Sequence, residues 1–162
     1  MNLKKEQFAE TGMLIRKPVE QVFEAFINPE ITANFWFSKG SGRLDENKEV
    51  IWTWESYNHS VPVIIKSITP NKKIMIQWGN YKEKTNVEWT FISLNESQTF
   101  VKIFNSGFKG TSDDLITQIR DSTEGFTLVL AGLKAYLEHN IQLNLISDRF
   151  PEGLEDISLD KC

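Results

Sequence analysis

The chain has 162 residues, of which 40% are hydrophobic and 25% charged, and its formal net charge at pH 7 is −4. Lysine and arginine are spread along the sequence, so no basic surface for a phosphate backbone is expected and nucleic-acid binding is disfavoured. No apolar run approaches the ~20 residues that span a bilayer. The length, without any repeat or linker, predicts one domain over residues 1–162.

The two ends of the sequence carry the signals for cellular location. Residues 1–10 are charged and lack the apolar segment of a secretory signal. The single cysteine, Cys162, is the last residue, so no disulfide within the chain is expected. Both features predict a cytoplasmic protein.

The first part of the sequence predicts a strand followed by two helices. The strand is expected over residues 8–16, and Pro18 suits the first turn of a helix because it lacks an N–H that would go unpaired there. The apolar face of this helix consists of Val19, Val22, Phe23, Phe26 and Ile27. Asn28 and Pro29 then end the helix and cap a second, short one over residues 30–35.

After an expected loop over residues 39–48, the apolar pattern changes to a period of two. This period predicts five strands in series, over residues 49–55, 61–69, 74–78, 87–91 and 99–105. The connection at His59 and the later ones are short and polar, which indicates an antiparallel meander. The inward-facing set is bulky and includes Trp52, Trp54, Trp78, Trp89 and Phe91.

The last predicted element is a long helix. Ser112 is a favourable N-cap, and Asp113 and Asp114 suit the first turn. The apolar positions that follow are Leu115, Ile119, Phe126, Leu130, Leu133 and Leu137. Gly125 interrupts this pattern, which leaves two alternatives: a short helix followed by a long one, or one helix with close packing at the glycine. We expect the long helix to occupy residues 124–140.

A tail over residues 144–151 follows the long helix. It is expected to dock on the domain through Leu145, Ile146 and Phe150. The whole order of elements predicts an α+β fold in which a strongly curved antiparallel sheet wraps around the C-terminal helix. Because curvature opens the concave face of the sheet, an internal apolar cavity is expected between sheet and helix.

Three segments together carry a family resemblance: residues 15–36, with Asn28-Pro29 and Phe35-Trp36; residues 67–78; and residues 125–138. The chain resembles the SRPBCC superfamily of START-related, birch-allergen-like helix-grip proteins. It is most similar to the branch named for the C-terminal domain of the heat-shock-protein-90 ATPase activator. This branch usually has Trp after the glycine, where this chain has Phe126.

The resemblance implies a helix-grip fold more firmly than an activity. Members of the superfamily carry hydrophobic ligands, cyclise polyketides or bind partner proteins. The full eukaryotic activator has an additional N-terminal domain, for which this chain is expected to have no room. Chaperone activation is therefore not carried over from the family name.

Little in the sequence indicates catalysis, a metal or a cofactor. The two histidines, His59 and His139, lie far apart and lack partner ligands. Glu55 and Glu88 alternate with the aromatic set and are expected to face outward, away from any pocket. Gly40-Ser41-Gly42 lacks the Lys-Ser/Thr of a phosphate-binding loop. We predict no catalytic residue, no metal and no cofactor.

The aromatic residues are the strongest functional signal. They predict a pocket for a hydrophobic small molecule such as a lipid, a sterol or a flat aromatic compound. The candidate ligand-binding residues are Trp36, Trp52, Trp54, Trp78, Trp89, Phe91, Phe126 and Leu130. The leading hypothesis is a non-catalytic binding or carrier protein. A cyclase- or hydrolase-like enzyme and a chaperone-associated protein-interaction module with a solidly packed core remain alternatives.

Overall fold

A computed structural model of the protein describes residues 6–79 and 83–154. The predictions for Cys162 and for the first five residues fall outside these ranges. Within them, the protein has the α+β helix-grip fold: one curved antiparallel sheet and a long C-terminal helix. The prediction of this fold class is confirmed.

The strands of the sheet are β1 Phe8–Ile15, β2 Lys39–Gly40, β3 Glu49–Trp54, β4 His59–Thr69, β5 Lys73–Trp78, β6 Thr85–Asn95 and β7 Gln98–Ser106. These seven strands lie in the order β1-β7-β6-β5-β4-β3-β2, and all neighbours are antiparallel. The helices are α1 Val19–Ile27, α2 Pro29–Thr32, α3 Ser112–His139 and α4 Leu145–Arg149. The predicted meander corresponds to β3 to β7.

Two details of the meander differ from the prediction. The predicted loop over residues 39–48 contains the short strand β2 and a 3-10 turn, Leu44–Glu46, whose Leu44 is buried. His59, predicted in a turn, is the first residue of β4 and pairs with Trp54. A 3-10 turn over Glu55–Tyr57 and the left-handed backbone of Asn58 (φ 49°) already reverse the chain, so His59 is free to join the sheet.

Local hydrogen bonds around α2 place Trp36 over the sheet. The Asn28 side chain accepts from the backbone N–H of Glu30 at 3.1 Å, which confirms the predicted cap. The buried Thr32 hydroxyl donates back to the carbonyl of Ala25 at 2.6 Å and so ties α2 to α1. The helix itself ends at Thr32, earlier than predicted, but the carbonyl of Thr32 accepts from the N–H of Trp36 at 3.0 Å and fixes its backbone.

The long helix α3 begins earlier than predicted and is continuous. It runs for 28 residues, Ser112–His139, so the start expected near residue 124 is wrong. Its N-cap is Thr111 rather than Ser112, because Thr111 accepts from the N–H of Asp114 while the Asp114 carboxylate accepts from the N–H of Thr111. These hydrogen bonds lower the pKa of Asp114. This reciprocal cap explains why α3 starts at Ser112.

The close packing expected at Gly125 occurs instead at Gly132. A Cβ atom built on Gly125 would meet no atom within 4 Å, whereas one on Gly132 would lie 3.1 Å from the carbonyl oxygen of Phe35. The C-terminal half of α3 therefore packs closely against the segment that carries Trp36. Its buried residues begin only at Phe126, which leaves open space beneath the N-terminal half.

The C-terminal half of α3 is held to β1 by a partly buried ion pair. Lys134 Nζ donates to Glu138 Oε2 at 2.7 Å and to the carbonyl of Leu14 at 2.9 Å, and the N–H of Arg16 donates to Glu138 Oε2 at 3.1 Å. Burial alone would raise the pKa of Glu138. The hydrogen bonds from Lys134 and Arg16 outweigh burial and hold the pKa below its ordinary value.

Glu138→Gln is expected to lower the free energy of unfolding at neutral pH by about 1–3 kcal/mol, because it removes charged hydrogen bonds from a side chain that is only 9% exposed. A carboxylate whose pKa is lower in the folded state than in the unfolded state stabilises the fold at pH values above its unfolded-state pKa. It loses that contribution as the pH falls through its folded-state pKa. The difference from wild type should therefore shrink in urea titrations at pH 3. Glu96→Gln, in an exposed turn, is the control and should show no comparable loss at neutral pH.

Candidate ligand-binding cleft

The aromatic side chains of the concave face form one cluster around Trp36. Its ring centroid lies 4.8 to 6.3 Å from those of Trp52, Trp54, Trp78, Trp89 and Phe126. Rings at these separations and tilted angles gain favourable quadrupole contacts in addition to burial. The structure therefore brings together the tryptophans that the period-two pattern placed on one face.

Only part of this cluster reaches a cleft. Trp36, Trp78 and Phe126 contribute to the wall of an open cleft of about 920 Å³ beneath the N-terminal half of α3. Their ring centroids are mutually 5.7 to 5.9 Å apart. We call these three rings the aromatic wall.

The other predicted site residues do not line this cleft, although Trp54 lines a smaller groove of about 210 Å³. Trp52, Trp89 and Leu130 are at most 2% exposed, and Trp54 and Phe91 are also buried. Phe91 packs against Phe23 and Phe26 of α1 rather than toward the cleft. The indole N–H of Trp89 has no hydrogen-bond partner among the described residues. Trp52, Trp54 and Trp89 pack against Trp36 and so support the aromatic wall.

The helix α4 covers one side of the cleft, in the region of the predicted tail. The Tyr57 hydroxyl donates to the carbonyl of Ile146, and Arg149 forms an ion pair with Glu124 of α3. Ile146 packs against the core, as predicted for the tail, and Leu145 is half-buried. Phe150 is 61% exposed, although its ring lies 6.4 Å from that of Tyr57. Burial and then the charge of Asp148 raise the pKa of Tyr57.

A network of three polar side chains lies in the cleft wall and was missed by the sequence analysis. Asn105 Nδ2 donates to Thr85 Oγ1 at 3.0 Å and to the carbonyl of Asn86 at 2.8 Å, and Ser122 Oγ donates to Asn105 Oδ1 at 2.7 Å. Asn105 is only 3% exposed. The available signal was its position, since it follows Val101 and Ile103 on the inward-facing parity of β7. We call Thr85, Asn105 and Ser122 the polar end.

Charged side chains around the cleft are paired with one another. Arg149 and Glu124 form one pair, and Arg120 Nε lies 3.6 Å from Asp121 Oδ1. All four residues line the cleft. Their formal charges cancel, so the part of the cleft lining that the structure describes carries no uncompensated charge of either sign.

The carboxylates considered in the sequence analysis lie away from the cleft lining. Glu88 forms an ion pair with Lys73 at 2.8 Å, and the exposed Glu55 lies 3.4 Å from Lys39. Within residues 6–79 and 83–154, no group of three His, Cys, Asp or Glu side chains is placed to hold a metal ion. Among the described helices, none is long and apolar enough to cross a membrane.

The comparison with protein families decides the classification. Residues 16–138 match the family described as Activator of Hsp90 ATPase homolog 1-like protein. The chain belongs to this family. The assignment confirms the resemblance seen in the sequence. Among curated proteins, no sequence matches this family member significantly.

Solved structures share the fold of this AHSA1-like protein. SSP2350 from Staphylococcus saprophyticus is 29% identical, with a TM-score of 0.73 over 84% of this chain and 95% of that one. The Aha1 dimer from Colwellia psychrerythraea is 16% identical, with a TM-score of 0.67 over 82% and 96%. The di-domain ARO/CYC BexL from the BE-7585A biosynthetic pathway is 11% identical, with a TM-score of 0.71 over 82% and 46%. For the Aha1 dimer and BexL, which are 16% and 11% identical to this chain, the similarity shows a shared fold alone.

Proposed function

We propose that this AHSA1-like protein is a non-catalytic binding or carrier protein for a hydrophobic small molecule, which it holds in the cleft beneath α3. The observation that carries the proposal is a cleft of about 920 Å³ with an aromatic wall. Ligand sites typically occupy about 300–1,000 Å³ and combine apolar walls with a few polar groups. As part of this proposal, the chain acts as one domain in the cytoplasm, as its sequence predicts.

The aromatic wall can supply useful affinity without any charged contact. A flat ligand that buries a few hundred Å² of apolar surface gains several kcal/mol at about 25 cal/mol per Å², before the costs of association. A dissociation constant of 1 μM corresponds to about 8 kcal/mol. Under this proposal Trp36, Trp78 and Phe126 touch the ligand, and the core residues behind them fix their positions.

A cyclase-like enzyme that orients its substrate in the same cleft is the second candidate. The fold likeness to the ARO/CYC protein BexL favours this alternative at the level of architecture. The cleft residues that could take part in proton transfer are Asp121, Glu124 and Tyr57. Both carboxylates are paired with arginines, and the Tyr57 hydroxyl donates to the carbonyl of Ile146 and has a raised pKa. A phenol in this state stays protonated at neutral pH and does not act as a base. We therefore prefer the non-catalytic function.

Trp78→Leu is expected to weaken binding of a cleft ligand about five- to tenfold, because it removes one ring of the aromatic wall. The ligand is first sought by native mass spectrometry of freshly purified protein and by screening fatty acids, sterols and flat phenols for saturable quenching of tryptophan fluorescence. The affinity of the best compound is then compared between wild type and variant, after circular dichroism has shown that both are folded.

Trp54→Phe is the matched control, because Trp54 belongs to the cluster but does not line the cleft. Its dissociation constant should stay within about twofold of wild type. The carrier proposal fails if no class of compound binds below roughly 100 μM, about 5.5 kcal/mol. An equal loss in both variants would place the ligand elsewhere.

A further inference from the structure

We infer that the ligand carries a neutral hydroxyl group, which binds at the polar end while its apolar body lies on the aromatic wall. This inference rests on the proposed function and assigns a chemical class to the ligand. Three observations support the inference: the unused hydrogen-bonding groups of the polar end, the paired charges of the cleft, and the position of the polar end next to the aromatic wall.

The first argument is the hydrogen-bond inventory of the polar end. Both N–H groups of Asn105 are used, by Thr85 Oγ1 and by the carbonyl of Asn86. Thr85 accepts in this contact, so its own O–H remains able to donate. Ser122 donates to Asn105 Oδ1, so its oxygen remains able to accept. Together, Thr85 and Ser122 offer one donor and one acceptor to a ligand.

A hydroxyl group matches this pair of free sites. Its oxygen can accept from the Thr85 O–H while its proton is donated to Ser122 Oγ. An ether can only accept, so it would leave one of the two sites unused. A carboxylate can also only accept, and it would carry its charge to a site whose surrounding charges are already paired.

The second argument is electrostatic. Arg149 and Arg120, the cations among the described residues of the cleft lining, are each next to a carboxylate, from Glu124 and Asp121 respectively. An anionic ligand would lose part of its hydration without gaining an unpaired cation, which is unfavourable. A neutral ligand avoids this cost.

The third argument is the placement of the polar end next to the aromatic wall. Thr85 lies directly opposite Trp78 in the β5–β6 pair. Ser122 precedes Phe126 by four residues on α3, so both side chains lie on one helix face. A single molecule can therefore contact the rings and the polar end together.

Three fluorescent probes of one flat shape test the inference: 1-hydroxypyrene, 1-methoxypyrene and 1-pyrenecarboxylate. Each is titrated into the wild-type protein at pH 7, with energy transfer from tryptophan as the readout. We expect 1-hydroxypyrene to bind about three- to tenfold more tightly than the ether, since a net hydrogen bond is worth about that factor. The carboxylate should bind more weakly than the hydroxyl probe.

Ser122→Ala removes the acceptor and should reduce the preference for 1-hydroxypyrene over the ether to about twofold or less, with little change for the ether itself. Thr123→Ala is the matched control, because the Thr123 hydroxyl donates to the carbonyl of Ile119 and does not line the cleft. It should keep the wild-type preference. If both variants lose the preference for 1-hydroxypyrene, the preference depends on the helix as a whole and not on Ser122. That result would overturn the inference.

The outcomes separate this inference from the proposed function. Saturable binding of all three probes with equal affinity, or tightest binding of the carboxylate, overturns the hydroxyl inference and leaves the carrier proposal standing. A preference that persists in Ser122→Ala also overturns it. If none of the probes binds and the wider screen finds no ligand, both proposals fail together.

Discussion

Leu133→Ala is expected to lower the free energy of unfolding by about 2–5 kcal/mol, the usual cost of truncating a fully buried leucine and leaving a cavity. Leu133 is 0% exposed and lies on the face of α3 that the sheet encloses. It is adjacent to Gly132, where the helix backbone approaches Phe35 closely, so the neighbouring chain has little freedom to collapse into the space. Urea denaturation followed by circular dichroism measures the loss.

Ile116→Ala on the same helix is the control for Leu133→Ala. Ile116 is 63% exposed on the N-terminal half of α3, so its truncation should change stability by about 0.5 kcal/mol or less. Similar losses in the two variants would contradict the assignment of Leu133 to the core. A urea midpoint for Leu133→Ala equal to that of the wild type would also contradict this assignment.

Gly125→Phe is expected to weaken binding of a cleft ligand about tenfold or more, a change of at least 1.4 kcal/mol. Gly125 lines the cleft, and a Cβ at this position meets no atom within 4 Å. A phenyl group added there can occupy the cleft without displacing the core. Binding should thus be lost while the protein stays folded, which separates occlusion of the site from unfolding.

Gly125→Ala is the matched control for the cleft. It should raise the free energy of unfolding by about 0.5–1 kcal/mol, because alanine is a better helix former than glycine, and it should leave ligand affinity close to wild type. Full affinity in Gly125→Phe would refute the location of the site in this cleft. The smaller groove of about 210 Å³ near Gly132 and Leu143 would then be the next place to examine.

The fold was predictable from the sequence because its main elements have strong local periodicity. The period of two in the meander placed Trp52 and Trp89 on the inner face, and both are at most 2% exposed. The spacing of Leu130 and Leu133 likewise identified the buried face of α3, where both are 0% exposed. Such patterns record which side of an element meets the core, and they need no knowledge of the partner.

The start of α3 was mispredicted because its cap depends on two residues acting together. Ser112 is a favourable N-cap by type, but the reciprocal hydrogen bonds of Thr111 and Asp114 select the preceding residue. Gly125 was interpreted as an interruption or a close contact, and it is neither. Whether a helix position requires glycine depends on which distant segment packs against it, as Phe35 packs against Gly132. The residues next to the glycine in the sequence do not contain this information.

By itself, the sequence determined the helix-grip fold and the aromatic concave face. Only the tertiary structure decided which aromatic residues reach open space, because that depends on where the N-terminal half of α3 and the short α4 stand above the sheet. It also assembled the polar end, whose members come from β6, β7 and α3. Periodicity reports the side of an element that is buried, whereas a cleft arises where two packed elements diverge.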